Sequence, residues 1–518
     1  MPNAPRVESL GNVASLAYFS PELVLVGAIL AVILWDVLVR EHRAKLLGAL
    51  CLGLLGLAYA AGASAFYLAA PVAPQNLFHG LLVFDRFACG FRILFAFVTA
   101  VALLFVVPPA LSDRRARSEG RNAAEMIMLL LVVALGMDLM AASRSLLMIY
   151  VSLELVSVVS FVLAGFKLFD RKSSEGALKY VIFGGVASGV MLYGMSWIYG
   201  ATGSLNLGEI AARVTEAGAP AGRVPEVVFV GVVCMLAGFG YKIAAAPFHM
   251  WTPDVYEGAP TAVTAFLSAG PKAAGFAVMV RFFADALRAH EALGAGSGGL
   301  AAPVPWPVLA GCLAMATMIV GNLSALHQDN VKRMLAYSSI AHAGYMLLGF
   351  AVFSQAGVEA IAFYLLVYCF MNLGAFLVVL AVAEASDGDE TMTAFQGLGR
   401  RAPVMAVLMT IFLVSLTGLP PMAGFVGKFY LFAALIRGGG FWNWLLAVVG
   451  VLNSVISLFY YARVMKAMYL GEAAPGEPAK VRHAFGATAV ALAVPVLLLG
   501  IYWGPVYDFV AGSMAMIR

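Results

Sequence analysis

Three lysines and one glutamate lie inside long apolar runs, where ionised groups are expensive. Lys242 sits in GFGYKIAAAPFHMW, five residues before Pro247. Lys272 directly follows Pro271 in FLSAGPKAAGF, and Lys428 lies seven residues after Pro420-Pro421 in TGLPPMAGFVGKFYLF. Glu154 occupies LMIYVSLELVSVVSF, with Ser152, Ser157 and Ser160 as polar neighbours. Each ionised group at the middle of a membrane helix costs about 2.5–3.5 kcal/mol. Burial disfavours a charged lysine, whereas a nearby carboxylate favours it. A buried lysine with a movable anionic partner therefore changes its proton affinity, and a series of such groups titrates as a coupled chain. Arginine would stay charged, so the choice of Lys at all three positions points to proton transfer. Interhelical ion pairing is the rival reading. It explains one lysine beside Glu154 and leaves two positive charges over.

Histidines add candidates to this relay: His342 inside SSIAHAGYMLLG, His249 just after Pro247, and His327 at the end of an apolar run. A lone helical histidine can equally be a hydrogen-bonded packing residue. The acidic run Asp254–Glu257 reads either as a proton entrance or as a solvated turn. Arg86, Arg92, Lys179, Arg281 and Arg463 lie near the ends of apolar runs, where long side chains reach the interface. Gly185 and Gly189 read as close helix packing.

The elements that must position these groups follow from composition. Of 518 residues, 62% are hydrophobic and 12% charged, with a mean hydropathy of +0.91. A soluble domain carries roughly 25% charged residues, so a water-facing surface cannot be built, and the chain is an all-α polytopic membrane protein. A formal net charge of +4 is no nucleic-acid footprint. Cys51, Cys89, Cys234, Cys312 and Cys369 form no CxxC or Cys/His cluster. Gly238-Phe239-Gly240 lacks the third glycine and the strand of a dinucleotide fold. No metal site and no cofactor-binding site is expected in this chain.

Apolar runs give 14 expected spans, near 21–39, 46–68, 86–108, 122–141, 146–166, 175–201, 226–248, 259–284, 306–326, 331–352, 356–383, 402–434, 441–467 and 484–511. The first reads as a retained span, with no leader before it. The run at 402–434 has 33 residues, about 50 Å as one helix, so a break at Pro420-Pro421 is expected. Breaks are likewise expected at Pro247 and at Pro271, because proline removes a backbone bond and clashes with the preceding turn. Such interruptions mark protein-lined or wet interiors. Lys and Arg number 17 in one set of loops, counting Lys332 and Arg333, and 7 in the other. The positive-inside rule then places both termini outside. The Gly- and Pro-rich stretch 293–307 separates five spans from five. Inverted repeats with the working site at interrupted helices are therefore expected over 122–292 (spans 4–8) and 293–470 (spans 9–13). Residues 1–121 hold spans 1–3, and 471–518 hold span 14.

KIAAAPFHMWTPDVYEGAPTAVTAFLSAGPKAAGF closely resembles the antiporter-like subunit N family of bacterial NADH:quinone oxidoreductase, the counterpart of mitochondrial complex I subunit 2. PELVLVGAILAVILWD, DNVKRMLAYSSIAHAGYMLLG and GLPPMAGFVGKFYLF support the resemblance, which runs through nearly all of the chain. It implies 14 helices, two inverted five-helix repeats, and a proton path from Glu154 and Lys242 through Lys272, near His342, to Lys428. The related L subunits carry a long C-terminal lateral helix that this chain lacks. M subunits typically carry Glu where Lys428 stands. Ala262 departs from the proline usual in the subunit N pattern, which affects only helix-entry geometry. The resemblance implies a bacterial inner-membrane complex whose NAD(H), FMN, iron–sulfur clusters and quinone reside in partner subunits. It also implies membrane-arm partners (the antiporter-like M and L, the small subunits K, J, A and H) and lipids. A multisubunit cation/proton antiporter or a membrane-bound hydrogenase-type complex is the alternative assembly.

Overall fold

The computed structural model describes residues 9–70, 73–110, 122–218, 226–287, 306–472 and 482–514. The stretch 293–305, and the loop cations Arg114, Arg115, Arg117, Arg121 and Lys480 used for orientation, lie outside them. A helical turn α1 (Asn12–Ser15) leads into α2 (Ser20–Leu38) and α3 (His42–Ala69). A small antiparallel hairpin, β1 (Gln75–Leu77) and β2 (Leu82–Phe84), pairs Gln75 with Phe84 and turns the chain into α4 (Arg86–Ala110). Then follow α5 (Ala123–Ala142), α6 (Leu146–Ala164), α7 (Arg171–Thr202) and a short amphipathic helix α8 (Leu207–Gly218), which hydropathy had not suggested. Helix α9 (Glu226–Ile243) stops before Pro247 and the chain resumes as α10 (Thr252–Gly258) and α11 (Thr261–Ala286).

The same order recurs. Three unbroken helices, α12 (Trp306–Ala325), α13 (Val331–Val352) and α14 (Gln355–Ala385), precede two short turns, α15 (Met392–Phe395) and α16 (Leu398–Arg401). A broken pair, α17 (Pro403–Thr417) and α18 (Ala423–Gly438), and a long α19 (Gly440–Leu470) come next. Helices α20 (His483–Ile501) and α21 (Gly504–Ser513) end the described chain. Among the described residues, 13 helices are long and apolar enough to cross a membrane. The broken α17–α18 pair occupies the remaining expected span.

Local sequence sets several boundaries. Asp170 caps α7 by accepting from the backbone N–H of Lys172 and Ser173, and Asn330 caps α13 through Arg333 N–H. The two least apolar spans are among the three most enclosed, together with the strongly apolar α14 (mean hydropathy 2.5, 89% buried). In α11 (mean hydropathy 1.4) the most apolar window is 100% buried, and in α13 (1.3) it is 89%, against 33% for α2 (2.1). Polar groups are costly against lipid, so the helices that carry them form the centre of the bundle. The first described segment docks on the hairpin and the last on the start of α4: Phe78 N–H donates to Ser15 Oγ, and Arg86 Nε donates to Gly512 O.

Four sequence expectations need correction. Pro271 does not break its helix, since α11 runs unbroken from Thr261 to Ala286 and neighbours enclose it on every side. Arg92 and Arg281 do not reach an interface. Arg92 is 3% exposed, pairs with Glu22 and lies 3.9 Å from Asp138, while Arg281 forks onto Asp85 at 2.5 and 3.0 Å. Counter-charges on neighbouring helices (Glu22, Asp138) and in the turn before α4 (Asp85) hold these side chains inward. Lys332 is no loop cation but fully buried, as described below. Gly185 and Gly189 face open space; the close approach of α7 is at Gly194, where a Cβ would lie 2.6 Å from Cys234 Cβ.

Removing one partner of a buried ion pair costs about 3–5 kcal/mol, because the other charge is left uncompensated. Arg92→Met should therefore sharply lower the amount of assembled subunit and its thermal stability, with Arg92→Lys intermediate. Quantitative blotting of membranes and a thermal shift of the purified assembly check this.

Candidate functional site: a buried chain of lysines and hydroxyls

Breaking a helix inside the bundle frees backbone groups that must find partners. At the first break Ala246 N–H donates to Thr317 Oγ1 (2.9 Å), and Trp251 Nε1 donates to Tyr241 O (3.3 Å). Lys242 lies in the last turn of α9 and is 4% exposed, a place where the helix dipole favours a cation. Its Nζ donates to Ser157 Oγ at 3.1 Å. Ser157 stands one helical turn along α6 from Glu154, on the same side of that helix. Glu154 makes no ion pair with Lys242 within 4 Å among the described residues, and its Oε1 is buried without a hydrogen-bond partner.

The second break builds a similar seat. Lys428, also 4% exposed, donates to Leu416 O (3.2 Å) and Thr417 O (2.9 Å), the orphan carbonyls that end α17. It also donates to Ser454 Oγ at 3.1 Å and lies 4.3 Å from the centre of the Tyr345 ring. Gly418 adopts φ +88°, and a Cβ there would meet Lys428 Cδ at 2.8 Å. The tight turn and the space for the lysine thus both call for glycine.

Between the two breaks, α11 and α13 carry the middle of the chain. Lys272 is 2% exposed and donates to both the carbonyl and the hydroxyl of Ser339, the latter at 2.5 Å. Lys242 packs against α11 one turn from Lys272: a Cβ on Gly275 would lie 3.3 Å from Lys242 Cγ. Ser338 Oγ meets Tyr461 OH, which lies 3.3 Å from His342 Nε2. His342 Nδ1 is 2.7 Å from Tyr364 OH. Ser454 donates to Tyr345 OH at 3.2 Å, beside the histidine ring. The spacing 338/339, 342, 345 places these groups on one stripe of α13. Lys428 is thereby linked to His342 through Ser454 and Tyr345, while Lys242 with Ser157 and Lys272 with Ser339 form two further seats, and Glu154 lies one turn from Ser157.

Two candidates stand apart. His327 is exposed just beyond α12. His249 is buried in the first break, with Nδ1 unpartnered, and joins none of these contacts. Sequence reasoning missed Tyr345, Tyr364, Tyr461, Ser339 and Ser454. The signal was available only for the α13 members, as hydroxyls three residues either side of His342. Among the described residues no group of three or more His, Cys, Asp or Glu could hold a metal ion.

The run Asp254–Glu257 is a clamp. Arg333 of α13 bridges Asp254 (2.8 Å) and Glu257 (2.6 Å), while Lys179 and Lys172 of α7 bind the same two carboxylates at 2.6 and 2.8 Å. Burial works against ionisation of Asp254, but Lys179 and Arg333 outweigh it and hold its carboxyl below the ordinary 3.8. Burial likewise opposes ionisation of Glu257, and Lys172 and Arg333 hold it below 4.5. Groups that stay ionised are poor proton carriers, so the entrance reading of this run gives way to a structural one.

Two broken helices, each seating a buried lysine, with a third hydroxyl-seated lysine and a histidine–tyrosine cluster between them, define an antiporter-like membrane subunit. The family described as NADH:quinone oxidoreductase/Mrp antiporter, TM, matches residues 143–457. NADH-quinone oxidoreductase subunit N 2 of Sorangium cellulosum (strain So ce56) is 66% identical over 510 residues, covering 98% of this chain and 99% of that one. Subunit N of Anaeromyxobacter sp. (strain Fw109-5) is 46% identical over 520 residues, 98% of each chain. A chain in respiratory complex I from Thermus thermophilus with bound aureothin superposes with a TM-score of 0.74 at 32% identity, covering 94% of this chain and 98% of that one. A chain of the Mrp complex from Dietzia sp. DQ12-45-1b shares the fold (TM-score 0.80, 21% identity, 96% and 97% covered). The chain belongs to the subunit N family of NADH-quinone oxidoreductases.

Because Asp254 and Glu257 have depressed values in the fold, the clamp stabilises fully above the ordinary range of about 3.8–4.5 and is lost as pH falls through the depressed values. The thermal midpoint of the assembly should therefore drop on acidification below that range. In Asp254→Asn/Glu257→Gln it should start lower and fall less steeply.

Proposed function

We propose that this multi-pass, proton-translocating membrane subunit of NADH:quinone oxidoreductase moves protons along Glu154–Lys242–Lys272–His342–Lys428. Quinone reduction in partner subunits would supply the energy, and no redox centre resides in this chain. NAD(H), FMN, iron–sulfur clusters and quinone belong to partners, with antiporter-like M and L and the small subunits K, J, A and H as membrane-arm neighbours among lipids. Both termini would lie in the periplasm, which makes the end bearing the Asp254–Glu257 clamp cytoplasmic. Spans 4–8 and 9–13 would form inverted repeats, consistent with the recurring order of three helices, one broken helix and one further helix.

The observation that carries this reading is the seat of each lysine. All three ammonium groups rest on neutral oxygens, at Ser157, Ser339, Leu416, Thr417 and Ser454. A hydroxyl can accept from an ammonium or donate to a neutral amine, so these seats suit both protonation states. A charge change in the neighbouring subunit that draws Glu154 further from Lys242 would weaken its long-range stabilisation of that ammonium and drive the proton toward Lys272. Protonation of each member would then repel the proton of the next.

Lys242→Ala and Glu154→Ala assemblies should oxidise NADH while moving fewer protons per electron. Lys242→Arg should be as impaired as Lys242→Ala, because arginine keeps its proton. Proton uptake by inside-out vesicles, set against NADH consumption, reads this ratio. An unchanged ratio in assembled variants removes the relay assignment.

A further inference from the structure

A cavity of about 270 Å³ lies at the end of the bundle that carries the clamp, lined by Phe105, Lys167, Asp170, Thr261, Leu380 and Glu390. Glu390, in the loop after α14, is 14% exposed and accepts from Thr261 Oγ1 and Lys332 Nζ, each at 3.0 Å. Lys332, fully buried at the start of α13, also donates to Ala259 O (2.8 Å) and Glu257 O (3.3 Å), where α10 ends. Two turns further along α13 stands Ser339, the seat of Lys272, about 10 Å away along the helix axis. The buried Tyr256 of α10 faces Ser339 from the same interval. Polar groups therefore stand at both ends of that interval, Glu390 and Lys332 at the cavity and Tyr256 and Ser339 at the middle lysine, next to a clamp whose carboxylates stay ionised.

We propose that the cavity is the cytoplasmic proton entrance, with Glu390 as the collecting carboxylate and Lys332 as the first buried carrier. Glu390 takes a proton from water in the cavity. Lys332 passes its own proton inward past Tyr256 and Ser339 to Lys272, and is reprotonated by the Glu390 carboxyl, which returns to carboxylate. No bond other than those to the moving protons changes. Arg333, Glu257 and Lys172 stand next to this pair from α13, α10 and α7, and Lys167 and Asp170 face Glu390 across the cavity. Their fixed charges hold the geometry. The proposal rests on the lysine relay described above and deepens it by naming the route that fills it.

The test is made in the whole complex, with Glu390→Gln, Glu390→Asp and Lys272→Ala compared in inside-out vesicles. Glu390→Gln should lower the protons moved per NADH as far as Lys272→Ala does, and Glu390→Asp should restore most of the ratio. A purely structural pair would lower the amount of assembled complex and leave its ratio intact, which overturns the proposal. If Lys272→Ala lowers the ratio and Glu390→Gln does not, the entrance fails and the relay stands. If Lys272→Ala leaves the ratio unchanged, the relay itself fails. Should Glu390→Gln not assemble, Thr261→Cys provides a second reading. A membrane-impermeant thiol reagent applied from the cytoplasmic side should label it and lower the ratio. Full labelling with no loss of pumping overturns the entrance.

Discussion

A positive charge held away from water must be met by oxygen atoms, and the kind of oxygen decides whether that charge can leave. The interior of this protein sorts its cations by that rule. Arg92 sits on the Glu22 carboxylate of α2 and Arg281 on Asp85 in the turn before α4, as fixed ties. Lys242, Lys272 and Lys428 sit on hydroxyls and carbonyls. An ion pair stabilises only the charged partner, whereas a hydroxyl serves both the charged and the neutral amine. The two arginines and the three relay lysines thus differ in their partners, although all are enclosed, and Lys332 on Glu390 and two backbone carbonyls combines both kinds of seat.

The broken helices follow from the same constraint. A continuous helix satisfies its own backbone and offers nothing to a passing cation. Ending α17 at Thr417 exposes carbonyls where the helix dipole is negative, and Lys428 occupies them. Lys242 takes the corresponding place in the last turn of α9. The least apolar spans, α11 and α13, lie at the centre, where their polar groups avoid lipid, beside the equally enclosed and strongly apolar α14, and they stand between the two breaks. Packing and helix ends are one arrangement seen at two scales.

Much of this was legible in the chain. Apolar runs gave the spans, and the prolines at 247 and 420–421 gave both breaks, because each effect is local to a few residues. Four charged residues in apolar surroundings marked the positions from which the relay is proposed. What escaped depends on which helix lies beside which. Arg92 reads as an interface residue until Glu22 and Asp138, far away in sequence, are seen beside it. Lys332 follows a polar turn, and only the fold shows α10 and Glu390 closing over it. Pro271 left α11 unbroken because full enclosure holds the helix on both sides of the missing bond. Tyrosines and serines are too common in membrane helices for their spacing to single them out, so Tyr461 and Ser454 became visible only against His342 and Lys428.

The central claim is that the lysines act in series along one path. Proton uptake per NADH should therefore be measured for complexes carrying Lys272→Met, Lys428→Met and the two together. A single path predicts that each variant loses the same share of the protons moved, and that the double variant loses no more than either alone. Losses that add in the double variant, or a normal ratio in an assembled single variant, would contradict it.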